Sequence, residues 1–319
     1  MEQGAKIYIS GHAGLIGSAL VRLLQERGYR TIITRTRKEL DLTDQPAVAA
    51  FFATEKPDYV FVPSYKSGSI QANIKQPAEF IYENLVAQNN VIHNAYRVKV
   101  KKMVIFNASC VYPKDSPQPI KEEALLAGKP EETSQAYTVA KISEIIMAQA
   151  YNKQYGTNFV SVVPATLYGP GDEFSLERSH VLSAMIRRFH EAKLSGKDEI
   201  TLWGSGTPRR EFLHVDDAAA ACLFLMERDE TGDLLNLGVG SDISIKELAE
   251  LIKAVTGFEG RLSWDTSKPD GVKQKLLDSS RLEALGWKHK IALEIGVRMA
   301  YQWFTEHYSE IVEKETTAA

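Results

Sequence analysis

Short apolar runs alternate with longer amphipathic segments through the first half of the chain. The runs have the length of buried strands, and the segments between them carry apolar residues at helical spacing. The pattern predicts strands at residues 6–10, 31–34, 59–63, 102–107 and 158–163. It predicts helices at about residues 15–28, 44–54 and 77–97, and another from about residue 134. Such alternation is typical of a parallel sheet covered by helices on both faces.

The pattern changes after about residue 165, where the predicted elements become shorter. We expect a helix at residues 180–193, a strand at 200–203, the start of a helix at 211–217 and a strand at 234–238. The predicted fold class is α/β, with a doubly wound parallel sheet and a smaller C-terminal α/β lobe. Residues 1–165 would form the sheet domain, to which the chain returns around 206–236, and residues 166–319 would form the lobe.

Three glycines join the first predicted strand to the first predicted helix, in the order Gly-x-x-Gly-x-x-Gly. Gly11 permits a tight turn, Gly14 lets the backbone approach a pyrophosphate, and Gly17 allows the helix to pack closely on the strand. The N–H groups of Leu15 and Ile16, in the first helical turn, would donate to that pyrophosphate. A glycine turn without a ligand is the alternative, but the strand before it and the helix after it favour a Rossmann-type dinucleotide site.

The end of the second strand carries basic residues instead of an acid. A carboxylate there would bond a free ribose 2′-hydroxyl, whereas Arg35 and Arg37 suit a 2′-phosphate. NADP is therefore predicted in preference to NAD, with a solvated basic turn as the alternative. Asp41 is placed to meet the adenine edge or to cap a helix, and Leu42 and Pro164 complete the predicted cofactor contacts.

Tyr137 and Lys141 lie four residues apart on a predicted helix. This spacing puts the phenol and the ammonium on one face, one turn apart, so a single pocket can receive both. A neighbouring cation favours the phenolate and brings a tyrosine pKa down from about 10 toward neutrality. The pair is therefore a candidate for proton transfer, although a half-buried tyrosine beside a solvated lysine would show the same spacing.

Composition adds limits to this picture. The chain has 319 residues, of which 44% are hydrophobic and 25% charged, with a net charge of -3. Its scattered basic residues do not favour a nucleic-acid partner, and no apolar run approaches the ~20 residues of a membrane span. The first residues show no signal-peptide pattern, so we expect a cytoplasmic protein. Cys110 and Cys222 are too few for a disulfide framework or a zinc cluster, and no metal is predicted.

Further motifs, together with the glycine loop and the Tyr137/Lys141 pair, resemble one family along nearly the whole chain. They are Ser-Cys-Val-Tyr-Pro at 109–113, Leu-Tyr-Gly-Pro at 167–170, Ser-His-Val at 179–181, Arg-Arg-Phe-His at 187–190, Trp-Gly-Ser-Gly-Thr-Pro at 203–208, Arg-Glu-Phe at 210–212, Ser-Lys-Pro-Asp-Gly at 267–271 and Lys-Leu-Leu-Asp at 275–278. The chain resembles the extended short-chain dehydrogenases/reductases, within the NAD-dependent epimerase/dehydratase superfamily, and is most similar there to the GDP-L-fucose synthases. The resemblance implies epimerisation of GDP-4-keto-6-deoxy-D-mannose at C3 and C5, then reduction of the C4 ketone by NADPH.

The resemblance also implies catalytic roles for individual residues. A 4-keto group acidifies the hydrogens on both neighbouring carbons, so a base and an acid on opposite faces can invert each centre. The resemblance implies that Cys110 is this base and His180 this acid. Tyr137 would protonate the C4 oxygen, while Lys141 tunes Tyr137 and holds the nicotinamide ribose. His180 is also counted among the cofactor contacts, and Ser109 among the catalytic residues. Without the family, Cys110 fits a small buried residue and His180 the start of a helix.

Substrate and partner contacts follow from the same resemblance. Arg210 and Lys275 would bind the diphosphate of the substrate and Arg188 its nucleotide, since these roles need permanent cations. Trp203 is assigned to the same substrate site, and His214 is interpreted as structural. The helices from about residues 77 and 134 would pair across a two-fold axis, so a homodimer is predicted. Apolar residues at helical spacing support it: Phe80, Leu85, Ile92, Ile145 and Ala148.

The chain departs from the family pattern at three predicted strand ends. Ala108 stands where the family has a serine whose hydroxyl helps to polarise the keto oxygen. Pro63-Ser64-Tyr65 replace small alanines beside the cofactor, and Thr166 replaces an asparagine. Ser64, Ser109 or Thr166 could restore a hydroxyl from another direction. The alternatives are therefore a diverged relative with epimerase activity only or another nucleotide sugar, and a catalytically silent nucleotide-binding protein.

Overall fold

The computed structural model describes residues 1–63, 65–68, 70–175 and 178–318. The strands are β1 (Ile7–Ile9), β2 (Ile32–Thr34), β3 (Tyr59–Val62), β4 (Lys102–Phe106), β5 (Phe159–Pro164), β6 (Thr166–Tyr168), β7 (Glu199–Trp203), β8 (Arg209–Arg210), β9 (Phe212–His214), β10 (Leu234–Leu237), β11 (Ile243–Ser244), β12 (Arg261–Asp265) and β13 (Gln274–Lys275). The helices are α1 (Leu15–Glu26), α2 (Gln45–Glu55), α3 (Ile70–Lys75), α4 (Pro77–Arg97), α5 (Gln135–Tyr155), α6 (Val181–Leu194), α7 (Val215–Met226), α8 (Ile245–Thr256), α9 (Ser280–Ala284) and α10 (Leu293–Ala318).

The main sheet has the strand order β10-β5-β4-β3-β1-β2, and each neighbouring pair is parallel. From β1 the chain first adds β2 on one side and then β3 on the other. Connections that leave in opposite directions open a crevice at the carboxyl ends of β1 and β3, where ligands bind in such sheets. The predicted α/β class, with a doubly wound parallel sheet, is confirmed.

Successive side chains of β1 enter different hydrophobic clusters, because neighbouring residues of a strand point to opposite faces. Ile7 and Ile9 pack in a cluster with α1 and α7, whereas Tyr8 packs in a cluster with α2 and α4. Helix α5 lies along α4. The sheet is therefore buried on both sides, which explains why its strands are almost continuously apolar in the sequence.

The second half of the chain builds smaller sheets and a separate hydrophobic cluster. β6 pairs with β9 and β7 with β12, both in parallel, and β8 lies between antiparallel β11 and parallel β13. The cluster joins α6, β7, α8 and α10 through Phe189, Leu202, Ile252 and Phe304. β10 adds to the edge of the main sheet, with Leu234 opposite Ser161 of β5. The division into domains at residues 165 and 166 stays a prediction.

Local caps adjust the element boundaries by a few residues. α1 ends at Glu26, and α6 begins at Val181 with His180 as its N-cap. α7 follows His214, whose ring nitrogen accepts the N–H of Asp216 at 3.2 Å. His214 thus stands at a helix start, as expected for a structural residue. Within the described parts of the chain, no helix combines the length and apolar character that a membrane span requires.

Candidate active site

The glycine loop has the shape that a dinucleotide requires. Gly11 has φ +62, in the left-handed region, and a Cβ on Gly17 would overlap the carbonyl oxygen of Gly11. Among the described residues, no side chain caps the start of α1, and its first turn carries no acid. The N–H groups at Leu15 and Ile16, with the positive end of the helix dipole, therefore suit an anionic pyrophosphate. The loop residues present fit NADP.

The two arginines after β2 differ in their surroundings. One guanidinium nitrogen of Arg35 donates to the Thr34 carbonyl at 2.8 Å, and another lies 2.6 Å from the Glu55 carboxylate. Arg37 lies 3.1 Å from Glu83 and 5.0 Å from the centre of the Tyr65 ring, with 62% of its side chain exposed. Arg37 is the more accessible cation for a 2′-phosphate, while Arg35 is held against α2.

Asp41 is occupied by local contacts. Its Oδ1 accepts the Thr43 N–H at 2.9 Å and the Tyr65 hydroxyl at 2.8 Å. The Thr43 hydrogen bond is the main cause of the lowered pKa of Asp41. Asp44, and not Asp41, caps α2 by accepting the Ala47 N–H. Leu42 is buried beside this turn.

Two of the departures after β3 can be placed. Pro63 follows the strand directly and is buried, and its Cβ lies 3.8 Å from the position of a Cβ built on Gly11. Tyr65 reaches back to Asp41, on the adenosine side of the crevice. Ser64 lies outside the described residues. The chain after β3 therefore borders the predicted cofactor site with larger side chains than alanines.

Tyr137 and Lys141 are both buried on α5, with 9% and 1% exposure. The Tyr137 ring meets Phe80 of α4 edge to face, with centroids 6.0 Å apart. The Lys141 Nζ donates to the Phe106 carbonyl at 2.8 Å and contacts the Glu144 carboxylate. The solvated lysine of the simpler interpretation is therefore wrong. The ammonium lies at the carboxyl end of β4, where ligands of a doubly wound sheet bind.

Glu144 is a site residue that the sequence pattern did not single out. Its side chain is 3% exposed, and its Oε2 accepts from Lys141 and from the Asn107 amide, the latter at 3.2 Å. Burial raises the pKa of the Glu144 carboxyl, while the Lys141 ammonium lowers it. An acid three residues after a lysine on a helix is a signal for this pair, but the spacing alone does not show burial.

Cys110 lies in a short 3-10 turn, Ser109–Val111, directly after β4 and Ala108. Ala108, Ser109 and Cys110 are half-buried. Two residues on, the Tyr112 hydroxyl donates to the Asn236 amide oxygen of β10 at 2.6 Å, which fixes the end of the turn. The turn therefore holds the predicted base at the end of the sheet.

Arg210 and Lys275 are neighbours on adjacent strands, in register between β8 and β13. Burial lowers the pKa of Arg210. Burial also lowers the pKa of Lys275, while the nearby Cys110 thiol raises it and Arg210 lowers it further. The Cys110 thiol, the Lys275 ammonium and the Arg210 guanidinium therefore lie near one another.

Glu211 holds this cationic pair in place, and the sequence analysis missed its role. Its carboxylate accepts the N–H groups of Val239 at 2.6 Å, Gly240 at 2.8 Å and Leu277 at 2.9 Å. Its own N–H donates to the Lys275 carbonyl at 3.3 Å. One buried carboxylate therefore joins two other segments, at 239–240 and at 277, to the strand end beside Arg210.

His180, Arg188 and Trp203 lie on or beside α6 and β7. His180 is exposed at the start of α6, near buried Asp172. Burial raises the pKa of Asp172, and the Ser183 hydroxyl and His180 are among the groups that lower it. The Arg188 guanidinium donates to the Thr201 carbonyl at 2.7 Å, and Trp203 is 72% exposed. Their assigned roles stay predictions.

Comparison with known proteins decides the family. Residues 7–238 match the family described as NAD dependent epimerase/dehydratase. The chain belongs to this family. The family inferred from the sequence motifs is thereby confirmed, and with it the prediction of an enzyme.

The similar proteins extend over nearly the whole chain. It is 52% identical over 315 residues to a putative GDP-L-fucose synthase 2 of Arabidopsis thaliana, covering 99% of this chain and 95% of the relative. It is 46% identical to the GDP-L-fucose synthase of Escherichia coli (strain K12), covering 95% and 97%. A solved GDP-mannoheptose C4 reductase from Campylobacter jejuni with NADP bound has a TM-score of 0.87 at 41% identity, covering 96% and 99%.

Proposed function

We propose that this chain is an NADP(H)-dependent epimerase/reductase of a GDP-linked 4-keto-6-deoxy sugar, in the manner of the GDP-L-fucose synthases. The observation that carries the proposal is its identity of 52% and 46% to two such synthases over nearly their full lengths. The buried Tyr137/Lys141 pair at the end of the sheet supports it, since ketone reduction needs a proton donor there. The proposed partners are the nucleotide sugar and a second copy of the chain, in the cytoplasm.

Reduction requires a hydride at C4 and a proton on the C4 oxygen. The nicotinamide of NADPH supplies the hydride when it is bound. The Tyr137 hydroxyl gives its proton to the oxygen as negative charge develops there. The Lys141 ammonium, one helical turn away, stabilises the phenolate that remains. Gly11 and Gly17 allow the tight turn and the close packing of α1 that would bring backbone N–H groups to the pyrophosphate, and Arg37 would meet the 2′-phosphate.

Epimerisation needs a base and an acid on opposite faces of the sugar. Cys110 would remove the proton from C3 or C5, and His180 would return one from the other face. The electron pair left on carbon passes into the C4 carbonyl as an enolate, whose oxygen Tyr137 can stabilise. Lys275, which lies near Cys110, would bind the diphosphate together with Arg210.

Ala108 provides the sharpest test of this assignment. If the missing hydroxyl removes one donor to the developing C4 alkoxide, reduction is slowed by about 10²–10³, while epimerisation suffers less. On a GDP-4-keto-6-deoxy sugar, solvent deuterium should then enter C3 or C5 faster than NADPH is consumed. Both can be followed in one mixture, by mass spectrometry and by NADPH absorbance. Ala108→Ser should speed only the reduction.

Other outcomes of the same experiment identify the alternatives. Reduction that keeps pace with exchange means that another group, such as Ser109 or Thr166, supplies the hydroxyl. Reduction without exchange favours a C4 reductase, as in the Campylobacter jejuni relative. Exchange without reduction favours an epimerase alone. If neither occurs on any such sugar, a silent nucleotide-binding protein becomes the better account.

The proposed homodimer uses the outer surfaces of α4 and α5. Phe80, Ile92, Ile145 and Ala148, which suggested this contact in the sequence, lie in the core of the chain and cannot form it. The same helices carry other apolar side chains that are exposed: Tyr82, Val139, Ile146 and Tyr155. A second copy packed on them would bury this surface.

Light scattering at micromolar concentration tests the dimer. We expect twice the chain mass for the unmutated protein and a shift toward the monomer for Ile146→Asp. Leu194→Asp, at an exposed position on α6, is the matched control and should remain dimeric. A monomeric mass for the unmutated protein would refute the dimer.

A further inference from the structure

The Lys141–Glu144 contact is a buried ion pair at the candidate active site. Exposure of the two side chains is only 1% and 3%. A buried charge is strongly unfavourable unless an opposite charge and hydrogen bonds compensate it. A surface role does not explain two buried charges. Their place on the helix one turn after Tyr137 suggests a role in the active site.

The contacts of the pair fix the position of the ammonium. Lys141 Nζ donates to the Phe106 carbonyl at 2.8 Å and to Glu144, so two of its three N–H donors are engaged within the protein. The Asn107 amide donates to the same Glu144 oxygen at 3.2 Å and to the Lys141 carbonyl at 3.3 Å. Burial raises the pKa of the Glu144 carboxyl, and these two N–H donors on one oxygen oppose that rise by favouring the ionised form.

The other elements around Lys141 contribute few charges. α4 meets α5 here through Gln88, whose amide donates to the Ala140 carbonyl at 3.0 Å, and β5 consists of uncharged residues. The 3-10 turn after β4 carries Cys110, and the turn before α5 carries the exposed Glu132. On α5 itself the titratable group one turn away is Tyr137. Among the described residues, Glu144 is therefore the anion in direct contact with Lys141.

We propose that Glu144 is a positioning residue for ketone reduction: its carboxylate holds the Lys141 ammonium in place one helical turn from Tyr137, and its negative charge sets the pH range of the reaction. The inference rests on the proposed reductase function and deepens it. It assigns the acidic side chain a role in the proton transfer without contact to the substrate.

The direction of the effect follows from charge alone. Removal of a negative charge makes every nearby group lose its proton at a lower pH. Reduction uses the protonated Tyr137 phenol and the charged Lys141 ammonium. Whichever of the two limits the rate at high pH, the basic limb of the pH profile must therefore shift to lower pH when the Glu144 charge is removed.

The test compares Glu144→Gln and Glu144→Asp with the unmutated protein, using NADPH consumption across the pH range. We expect the basic limb of kcat to move down by about one to two pH units in Glu144→Gln, as for a charge a few ångströms away. Glu144→Asp keeps the charge but places it farther from Lys141. Its basic limb should therefore lie between those of the unmutated protein and Glu144→Gln. If the glutamine variant does not fold, a downward shift in the aspartate variant alone decides.

Glu122→Gln is the matched control. Glu122 is also a buried carboxylate, 5% exposed, but its Oε1 accepts the Asn236 N–H at 2.8 Å, on β10. This variant should leave the basic limb where it is, even if its melting temperature falls. An unchanged or raised basic limb in both Glu144 variants overturns the proposal, because a purely structural role would lower only stability.

A second measurement separates this proposal from the proposed function. The phenolate absorbance of Tyr137 is obtained as the difference between each protein and the same protein carrying Tyr137→Phe. Tyr137 should ionise at a lower pH in the Glu144→Gln variant than in the unmutated protein, whether or not any sugar is reduced. Absence of reductase activity with this shift contradicts the proposed function alone, and absence of the shift contradicts the role of Glu144.

Discussion

Two lysines of the candidate site have opposite surroundings. Lys141 has its own counter-ion, Glu144, and its Nζ also donates to the protein backbone. Lys275 instead has a second cation, Arg210, as its strand neighbour, and among the described residues no carboxylate lies at ion-pair distance from either. The difference teaches that a cation with a counter-ion inside the protein is suited to act on proton transfer, whereas two half-buried neighbouring cations without a counter-ion are suited to an anionic ligand.

The largest expected effect concerns the paired lysine. In the proposed mechanism the Lys141 charge stabilises the Tyr137 phenolate, so Lys141→Met should lower kcat for NADPH-dependent reduction by about 10²–10⁴. Steady-state kinetics on a GDP-linked 4-keto sugar measure it. A variant with a raised KM and an unchanged kcat would contradict the comparison, because Lys141 would then be a binding residue.

The unpaired cations should affect binding more than chemistry. Lys275→Met or Arg210→Ala removes the proposed charge-assisted contact to the diphosphate, which would contribute about 1.5–3 kcal/mol. The KM for the sugar nucleotide should therefore rise by about 10- to 150-fold, with a smaller change in kcat. Lys197→Met, at an exposed position, is the control and should change neither. Equal losses in kcat for Lys275→Met and Lys141→Met would contradict the distinction between a lysine that binds substrate and a lysine that acts on proton transfer.

The two arginines at the predicted cofactor site also differ in how closely each is paired with a carboxylate. Arg35 lies 2.6 Å from Glu55, whereas Arg37 is more exposed and lies 3.1 Å from Glu83. Arg37→Ala should weaken NADPH binding about tenfold and NADH binding little, and Arg35→Ala should have the smaller effect on NADPH. Fluorescence titration with both cofactors measures this. Equal affinities of the unmutated protein for NADPH and NADH would refute a 2′-phosphate site.

The smallest expected effect is a pH dependence of ligand binding. Burial lowers the pKa of Lys275, so in the free protein it loses its proton below the usual lysine value of about 10.4. Diphosphate binding needs the ammonium, and affinity for GDP should therefore fall severalfold as pH rises through that lowered pKa. Calorimetry at several pH values should show this fall in the unmutated protein. Persistence of the same fall in Lys275→Met would assign it to another group.

The parts of the site that depend on local spacing could be predicted from the sequence. The glycine loop lies between a strand and a helix, and the four-residue spacing of Tyr137 and Lys141 is a property of one helix. Their burial and partners could not be predicted in this way. Glu144 resembles a residue on a solvated helix face, and only the packing of α5 near Asn107 buries it.

The substrate side was less predictable because its contacts join distant segments. β8, β11 and β13 have two residues each, which is too short for a hydrophobic period to appear. Glu211 was noted only as part of a motif, since its partners lie at Val239, Gly240 and Leu277. The role of such a carboxylate can be recognised only in the folded structure.

The late position of β10 in the chain limits how this protein can be divided. A fragment that stopped at residue 165 would keep the glycine loop and Tyr137, but it would lose α7 and β10. β5 would then become an open edge of the sheet, with unpaired backbone groups available to other copies. An exchange of substrate-reading segments between relatives must therefore leave residues 215–237 with the first part of the chain, because a single crossover point would divide the sheet itself.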